Sequence, residues 1–206
     1  MSAMQEKSPY LTPVNTVLVL ANVAVYFILE AMGDTTDALF MYAHGAMYPA
    51  AVLAGGQYYR LFTSAFVHFG LPHLINNMVL LICLGSYVEK AYGRICYVIL
   101  YLAGVLGSSL ISMFFMVFSG DMAVSGGASG VVFGMIGVLL FLMIRNKGRF
   151  EDLPWKRFLL MIVLALYFGF ATAGVDNAAH IGGLATGFAA GAMVYLIKKA
   201  AGGLRR

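Results

Sequence analysis

Long uninterrupted apolar runs are the feature that most limits what this chain can fold into. A helix needs about 20 mostly apolar residues to cross the hydrocarbon core of a bilayer. Six such runs occur, from Val14 to Met32, near Pro72 to Val88, Ile95 to Phe118, Ala128 to Ile144, Phe158 to Val175 and Ala178 to Ile197. They are longer than the strands of a membrane β-barrel and lack the alternation of polar and apolar residues that such strands show. Because backbone groups in lipid must form hydrogen bonds within the protein, we expect the runs to be helices. The runs therefore predict an all-α polytopic membrane protein with six transmembrane helices.

The amino-acid composition supports the same class. The 206 residues are 61% hydrophobic and only 11% charged, whereas about a quarter of the residues of a soluble domain are charged. So few charged side chains cannot cover a surface that faces water. The net charge of +4 does not indicate nucleic-acid binding, because the basic residues fall in short clusters between apolar runs, as the positive-inside rule describes.

The positions of the basic residues predict the orientation in the membrane. If the N-terminus is inside, all 13 Lys and Arg residues except Arg60 lie on the inner side. Both termini are therefore expected on the inner (cytoplasmic) side of a cell membrane, which is the inner or plasma membrane. Residues 1–12 form a short cytoplasmic N-terminus, 13–198 the six-helix domain and 199–206 a basic tail. The long outer loop at about 33–72 is aromatic rather than charged, so we expect it to lie partly in the outer leaflet.

Four polar side chains in the predicted spans are difficult to explain by packing alone, because polar groups at membrane depth are costly. His73 and Asn77 begin the second span, four residues apart and thus on one helix face. Ser129 begins the fourth span, and His180 lies in the first turn or so of the sixth. The second, fourth and sixth spans all run from outside to inside. All four side chains are therefore expected at a similar depth, just below the outer surface.

The pair of Ser129 and His180 predicts nucleophilic catalysis. A serine hydroxyl is a weak nucleophile until a base accepts its proton, and imidazole titrates near neutrality. Ser129 lies at a helix N-terminus, where free N–H groups suit a developing oxyanion, and His73 and Asn77 are placed to donate to it as well. Because no carboxylate is expected at this depth on the other helices, we infer a dyad rather than a triad.

Small residues predict that the fourth and sixth spans approach closely. Glycines at 130, 134 and 137 form one flank of the fourth span, and Gly183 and Gly187 follow His180 on its own face. Small faces allow helices to pack tightly in lipid.

Other polar residues in and around the spans have simpler explanations. Helix contacts or capping explain Asn15 and Asn22, and hydroxyls that bond back to their own helix explain Ser108, Ser109 and Ser112. We expect structural or interfacial roles for His44 and His68.

Taken in chain order, these motifs resemble those of the rhomboid family of intramembrane serine proteases. Residues 127–130 (Gly-Ala-Ser-Gly) resemble its Gly-x-Ser-Gly nucleophile motif, and residues 73–77 resemble its His-x-x-x-Asn motif. Residues 179–187 resemble its Ala-His-x-x-Gly-x-x-x-Gly motif. Further resemblances are Tyr59-Arg60, where the family usually has Trp-Arg, Phe133, where it has an aromatic residue packed on the base, and Glu89 with Gly93.

The resemblance implies both a fold and an activity. It implies a basic six-helix core that hydrolyses peptide bonds of single-span transmembrane proteins within the lipid bilayer, without a metal or cofactor. It implies Ser129 as nucleophile, His180 as general base, and His73 and Asn77 as oxyanion donors. The implied supporting residues are Gly127, Gly130, Phe133, Gly183, Gly187 and Arg60. The oligomeric state stays open.

Two other functions stay open from the sequence. A transporter or channel would place polar residues along a path at the bilayer midplane, whereas here they gather near the outer face. An inactive family member would bind membrane proteins without cutting them, and the intact Ser129 and His180 argue against it.

Overall fold

Helices account for most of the chain in the computed structural model, which describes residues 11–150, 153–170 and 175–202. Residues 1–10 of the proposed cytoplasmic segment and residues 203–206 of the proposed tail lie outside the described residues. The α-helices are α1 (Pro13–Met32), α2 (Ala38–Ala43), α3 (Pro49–Leu53), α4 (Arg60–Thr63), α5 (Leu71–Tyr92), α6 (Arg94–Ser119), α7 (Ser129–Arg145), α8 (Trp155–Phe170) and α9 (Asn177–Ala200). The structure also contains a 3₁₀ turn (Ser64–Phe66) and a two-stranded antiparallel ladder of β1 (Arg149–Phe150) and β2 (Leu153–Pro154).

Each of the six apolar runs overlaps one of the longer helices, and local sequence explains where these helices begin and end. Proline occupies the first turn of α1 and α5, where its missing N–H costs nothing. Gly93 separates α5 from α6 with a φ of 81°, a conformation that glycine adopts without strain. The chain can therefore reverse direction between these two helices within one residue.

Four of these helices, α1, α5, α6 and α9, are long and apolar enough to cross a membrane. The apolar helix α7 is shorter, with 17 residues, and 16 residues of α8 are described. The protein is thus a helical, multi-pass membrane protein, and the count of six spans stays a prediction. The β1–β2 ladder between α7 and α8 is the departure, within the described residues, from the expected all-α fold.

Buried polar contacts attach α1 to α5 and α6. The carboxylate of Glu89 accepts hydrogen bonds from the backbone N–H groups of Val14 (3.2 Å) and Asn15 (2.7 Å), so it caps the N-terminus of α1. The Asn15 side chain donates to the Leu81 carbonyl (3.0 Å) and accepts from the Tyr97 hydroxyl (2.6 Å). Helix contacts thus explain Asn15, as the sequence predicted.

Helices α7 and α9 pack against each other through glycine, and they run parallel. An added Cβ would collide with the backbone of α7 at two α9 glycines, pairing Gly183 with Gly130 and Gly187 with Gly134. At the next position, a Cβ on Gly191 would make a tight contact of 3.2 Å with Val138 Cα. Because both numbers rise by four at each step, the helices point in the same direction. This packing places the N-terminal residues of α7 and α9, including Ser129 and His180, at the same end of the bundle.

The segment 33–70 falls in the predicted outer loop and is called the outer segment below. It is folded rather than extended, with α2 to α4 and the 3₁₀ turn. Arg60 is its buried centre, although it carries a charge. Its guanidinium donates from Nη1 to the carbonyls of Tyr42 (2.6 Å) and Ala46 (2.7 Å) and from Nε to Gln57 Oε1 (2.6 Å). It also stacks over the Tyr42 ring at 4.5 Å. These contacts fix residues 42–60 as one unit.

Candidate active site

One cavity of about 580 Å³ collects the polar residues that the sequence analysis singled out. It lies where the N-terminal ends of α5, α7 and α9 meet. His73, Asn77, Ser129 and His180 all line it, together with Gly127, Gly130 and Phe133. Residues more than one hundred positions apart in the chain are therefore brought to one site.

Ser129 is the first residue of α7, and the side chain of the preceding N-cap residue cannot cap the helix. The N-cap residue is Ala128 and makes no side-chain cap hydrogen bond, although Ser, Thr, Asp or Asn at this position would typically stabilise a helix by about 1 kcal/mol. The backbone N–H of Val132 donates to the Ala128 carbonyl (2.9 Å). The N–H groups of the three preceding residues, 129–131, have no intrahelical acceptor. The helix thus leaves donors next to the Ser129 hydroxyl.

His180 is buried and lies flat on Phe133. The ring centroids are 4.2 Å apart and the planes differ by 11°. Within the described residues, its Nδ1 has no hydrogen-bond partner, and no hydrogen bond joins its ring to Ser129. Catalytic hydrogen bonds in unliganded enzymes are often long and form fully only around the substrate. The structure therefore places the two groups in one cavity without a direct bond between them.

His73 and Asn77 contribute the wall formed by α5. Asn77 is buried and donates one amide hydrogen to the His73 carbonyl at 3.0 Å, which leaves its second hydrogen available. The His73 ring lies directly against Gly127, because a Cβ there would come within 2.6 Å of its Cε1. Gly127 also has a φ of 117°. Glycine is therefore required at 127 both for the backbone conformation and for the approach of His73.

The loop 124–128, which precedes Ser129, is fastened to the outer segment by four hydrogen bonds. Ser125 and Met47 exchange two backbone bonds of 2.8 and 2.9 Å. The Gly127 N–H donates to the Ser64 carbonyl (2.8 Å) and the Ala128 N–H to His68 Nε2 (3.2 Å). Since Arg60 fixes the backbone beside Met47, the outer segment sets the position of the Ser129 loop.

Several known proteins are similar in sequence to this chain. The family model described as Rhomboid domain matches residues 55–197. The chain belongs to the rhomboid family. Rhomboid protease GluP of Bacillus subtilis (strain 168) is 35% identical over 194 residues, which are 94% of this chain and 37% of that protein. RHOMBOID-like protein 4 of Arabidopsis thaliana is 34% identical over 163 residues, 79% of this chain and 40% of that protein. RHOMBOID-like protein 5 of the same plant is 37% identical over 143 residues, 68% of this chain and 45% of that protein. The chain thus spans less than half the length of these curated rhomboid relatives.

His68 is a residue of this rhomboid chain whose contacts the sequence did not reveal. It is fully buried outside the membrane-spanning helices. Its Nε2 accepts from Ala128, so the ring proton lies on Nδ1, 3.3 Å from the Phe66 carbonyl. Burial, and secondarily the nearby His73, lower the pKa of His68 to about 3. A neutral His68 is therefore part of the support for the Ser129 loop.

The expectation for Ser112 was wrong. Ser108 bonds back to its own helix at Val105 (3.0 Å), as predicted, but Ser112 donates to the carboxylate of Asp176. Asp176 is the N-cap of α9 and a cavity residue that sequence reasoning missed. The available signal was a capping residue four positions before His180.

In the part of the chain that the structure describes, no group of three or more His, Cys, Asp or Glu side chains is arranged to hold a metal ion.

Proposed function

We propose that this rhomboid is an intramembrane serine endopeptidase in which Ser129 is the nucleophile and His180 the general base. The observation that carries the proposal is the single cavity in which Ser129, His180, His73 and Asn77 meet beside the uncapped end of α7. Its substrates are single-span transmembrane proteins of the surrounding bilayer. Similarity to a protein named as a rhomboid protease supports the same activity.

The cavity has the groups that each step of acyl transfer needs. Ser129 Oγ bonds to the carbonyl carbon of the scissile peptide, and its proton passes to Nε2 of His180. The oxyanion accepts hydrogen bonds from the backbone N–H of Ser129, the free amide hydrogen of Asn77 and the His73 ring. As the C–N bond breaks, His180 returns the proton to the leaving amine. Water then repeats the sequence on the acyl-enzyme, releases the acid and restores Ser129.

The proposed topology has six spans with both termini inside, in the inner or plasma membrane. It rests on the basic residues, all of which except Arg60 lie in segments assigned to the inner side,. The parallel packing of α7 and α9 supports it, because two spans that point the same way need an odd number of crossings between them, and α8 supplies one. Under this topology the cavity opens at the outer side, so substrates are cut near the outer ends of their spans.

Reconstituting the purified protein in liposomes with a single-span reporter substrate tests the proposal. We expect cleavage, and we expect its loss in Ser129→Ala and in His180→Ala. The double variant should be no worse than either single one, since residues that act as a unit are non-additive. Ser109→Ala replaces another serine of the cavity and serves as the matched control.

Mass spectrometry of the products tests the position of the cut. Cuts at the inner end of the reporter's span would contradict the proposed topology. A reporter that stays intact with wild-type protein, or that is cut equally by Ser129→Ala, would overturn the assignment as a protease. Flux of a solute across the liposomes without cleavage would favour the transporter alternative.

A further inference from the structure

The carboxylate of Asp176 connects three parts of the fold that surround the cavity. Its Oδ1 accepts from the backbone N–H of Ala179 at 2.9 Å and so caps α9. Its Oδ2 accepts from the hydroxyl of Ser125 at 2.7 Å and from the hydroxyl of Ser112. Ser112 belongs to α6, and Ser125 to the loop 124–128. Capping requires only one oxygen, so the two serine contacts need a separate explanation.

Asp176 also occupies a particular position relative to the proposed base. It precedes His180 by four residues, its carbonyl accepts from the His180 backbone N–H at 3.3 Å, and both side chains line the cavity. Of the described residues that line the cavity, only Asp176 bears a carboxylate. Among the described residues that line the cavity with His180, the titratable side chains are His73 on α5 and Asp176 at the start of its own helix. The elements α6 and α7 present only hydroxyls, glycine and apolar side chains to the cavity among the described residues.

We propose that Asp176 is a positioning residue for the reaction proposed above, with two effects on His180. Its hydrogen bonds to Ser112 and Ser125 fix the start of α9 against α6 and against the loop that carries Ser129. Its negative charge stabilises the imidazolium that His180 becomes when it accepts the serine proton. The proposal rests on the proposed function, since it assigns how the base is held and charged during that reaction.

The geometry explains why a carboxylate is used where a neutral cap would serve. Asn and Ser cap helices about as well as Asp, so stability alone does not require a charge at 176. An ionised carboxylate accepts at both oxygens, and all three of its partners here are donors. The charge lies in a partly buried site, where electrostatic effects are larger than in water. Asp176 does not need to hydrogen-bond to the His180 ring, as the acid of a catalytic triad does, because its charge acts on the imidazolium across one helical turn.

Asp176→Asn separates the charge from the cap, because the amide oxygen can still accept from Ala179. In the liposome assay at pH 5 to 9 we expect an unchanged KM and a kcat lowered by about tenfold. The midpoint of the acid limb of kcat should move to lower pH by roughly one unit, because the imidazolium loses its neighbouring anion. Asp121→Asn removes an equal charge from the exposed α6–α7 connection and should change neither quantity.

Two further variants separate the charge from the hydrogen bonds. The double variant Ser112→Ala/Ser125→Ala keeps the charge, so its kcat should fall while its acid limb stays in place. Asp176→Ser retains a good cap without the charge and should reproduce the shifted acid limb. This variant carries the test if Asp176→Asn lowers the melting temperature.

Three results would overturn the inference. The first is that both Asp176 variants keep the wild-type kcat and the wild-type acid limb. The second is that the acid limb of the double serine variant moves as far as that of Asp176→Asn. The third is that the double serine variant keeps the wild-type kcat. Each leaves the proposed function intact as long as wild-type protein cleaves and Ser129→Ala does not. Absence of cleavage by the wild-type protein would instead refute the proposed function itself.

Discussion

The imidazole of His180 lies parallel to the ring of Phe133, with the ring centroids 4.2 Å apart. Phe133 is one turn after Ser129 on α7, so the stack connects the helix of the proposed nucleophile to the helix of the proposed base. A flat contact of this kind limits rotation of the imidazole about its χ2 angle.

Replacing Phe133 should therefore impair catalysis more than folding. We expect Phe133→Ala to lower kcat by between about tenfold and a hundredfold, because small misplacements of a catalytic group have large effects. Phe133→Tyr keeps the ring and should stay close to the wild-type rate. Phe141→Ala is the control on the same helix, since Phe141 packs on Phe188 and Tyr195 instead. Equal loss in Phe133→Ala and Phe141→Ala would indicate a general packing defect.

Asn77 should contribute to the transition state rather than to substrate binding. One amide hydrogen is held by the His73 carbonyl, and the second is free to donate to the oxyanion. We expect Asn77→Ala to lower kcat by about tenfold to a hundredfold with little change in KM. Steady-state kinetics would measure this. The neighbouring Asn76→Ala removes another amide from the cavity wall, and an equal loss in that control would reject a specific role for Asn77.

Gly183 should not tolerate a methyl group. A Cβ there would lie 2.9 Å from the carbonyl carbon of Gly130 and closer still to its oxygen, so α7 and α9 would have to separate. We expect Gly183→Ala to destabilise the protein by at least about 1–3 kcal/mol and to abolish cleavage. Thermal unfolding in detergent would show it. Gly104→Ala is the control, because a Cβ at Gly104 meets its nearest atom at 3.6 Å, an ordinary contact. A stable, active Gly183→Ala would contradict the observed packing.

Acid should weaken the fold through His68. Burial lowers the pKa of His68 to about 3, whereas the unfolded chain has the ordinary value of about 6.5. Between these two pKa values the unfolded state binds more protons than the folded state. The free energy of unfolding therefore falls as pH falls, by up to about 1.4 kcal/mol per pH unit.

Melting temperatures measured between pH 7 and 4 would test this prediction. His68→Gln keeps an acceptor for the Ala128 N–H without a titrating ring, so its melting temperature should depend less steeply on pH than that of the wild type. His44→Gln, in the same outer segment, controls for replacing a histidine. Parallel pH curves for wild-type protein and His68→Gln would refute the prediction.

Much of the fold could be predicted from local sequence. The six apolar runs predicted the longer helices to within a few residues at the ends that the structure describes, because proline, glycine and chain polarity mark helix ends directly. The close approach of α7 and α9 was also predicted, since glycines four apart leave a flat face. The short helices of the outer segment were not predicted. They depend on hydrogen bonds from Arg60 to backbone carbonyls, and the side chains of those residues do not reveal such bonds.

The sequence by itself determined which residue types stand at the N-terminal ends of α5, α7 and α9, and therefore which side chains the site contains. Hydrophobic length and the distribution of charge are properties of the linear chain, so the predicted depth of these residues in the membrane follows from them. Only the tertiary structure decided how those groups are held. His68 reaching Ala128, Met47 pairing with Ser125, and Asp176 joining Ser112 to Ser125 are contacts between distant segments. Such contacts depend on how helices and loops pack in three dimensions, and no local pattern encodes them.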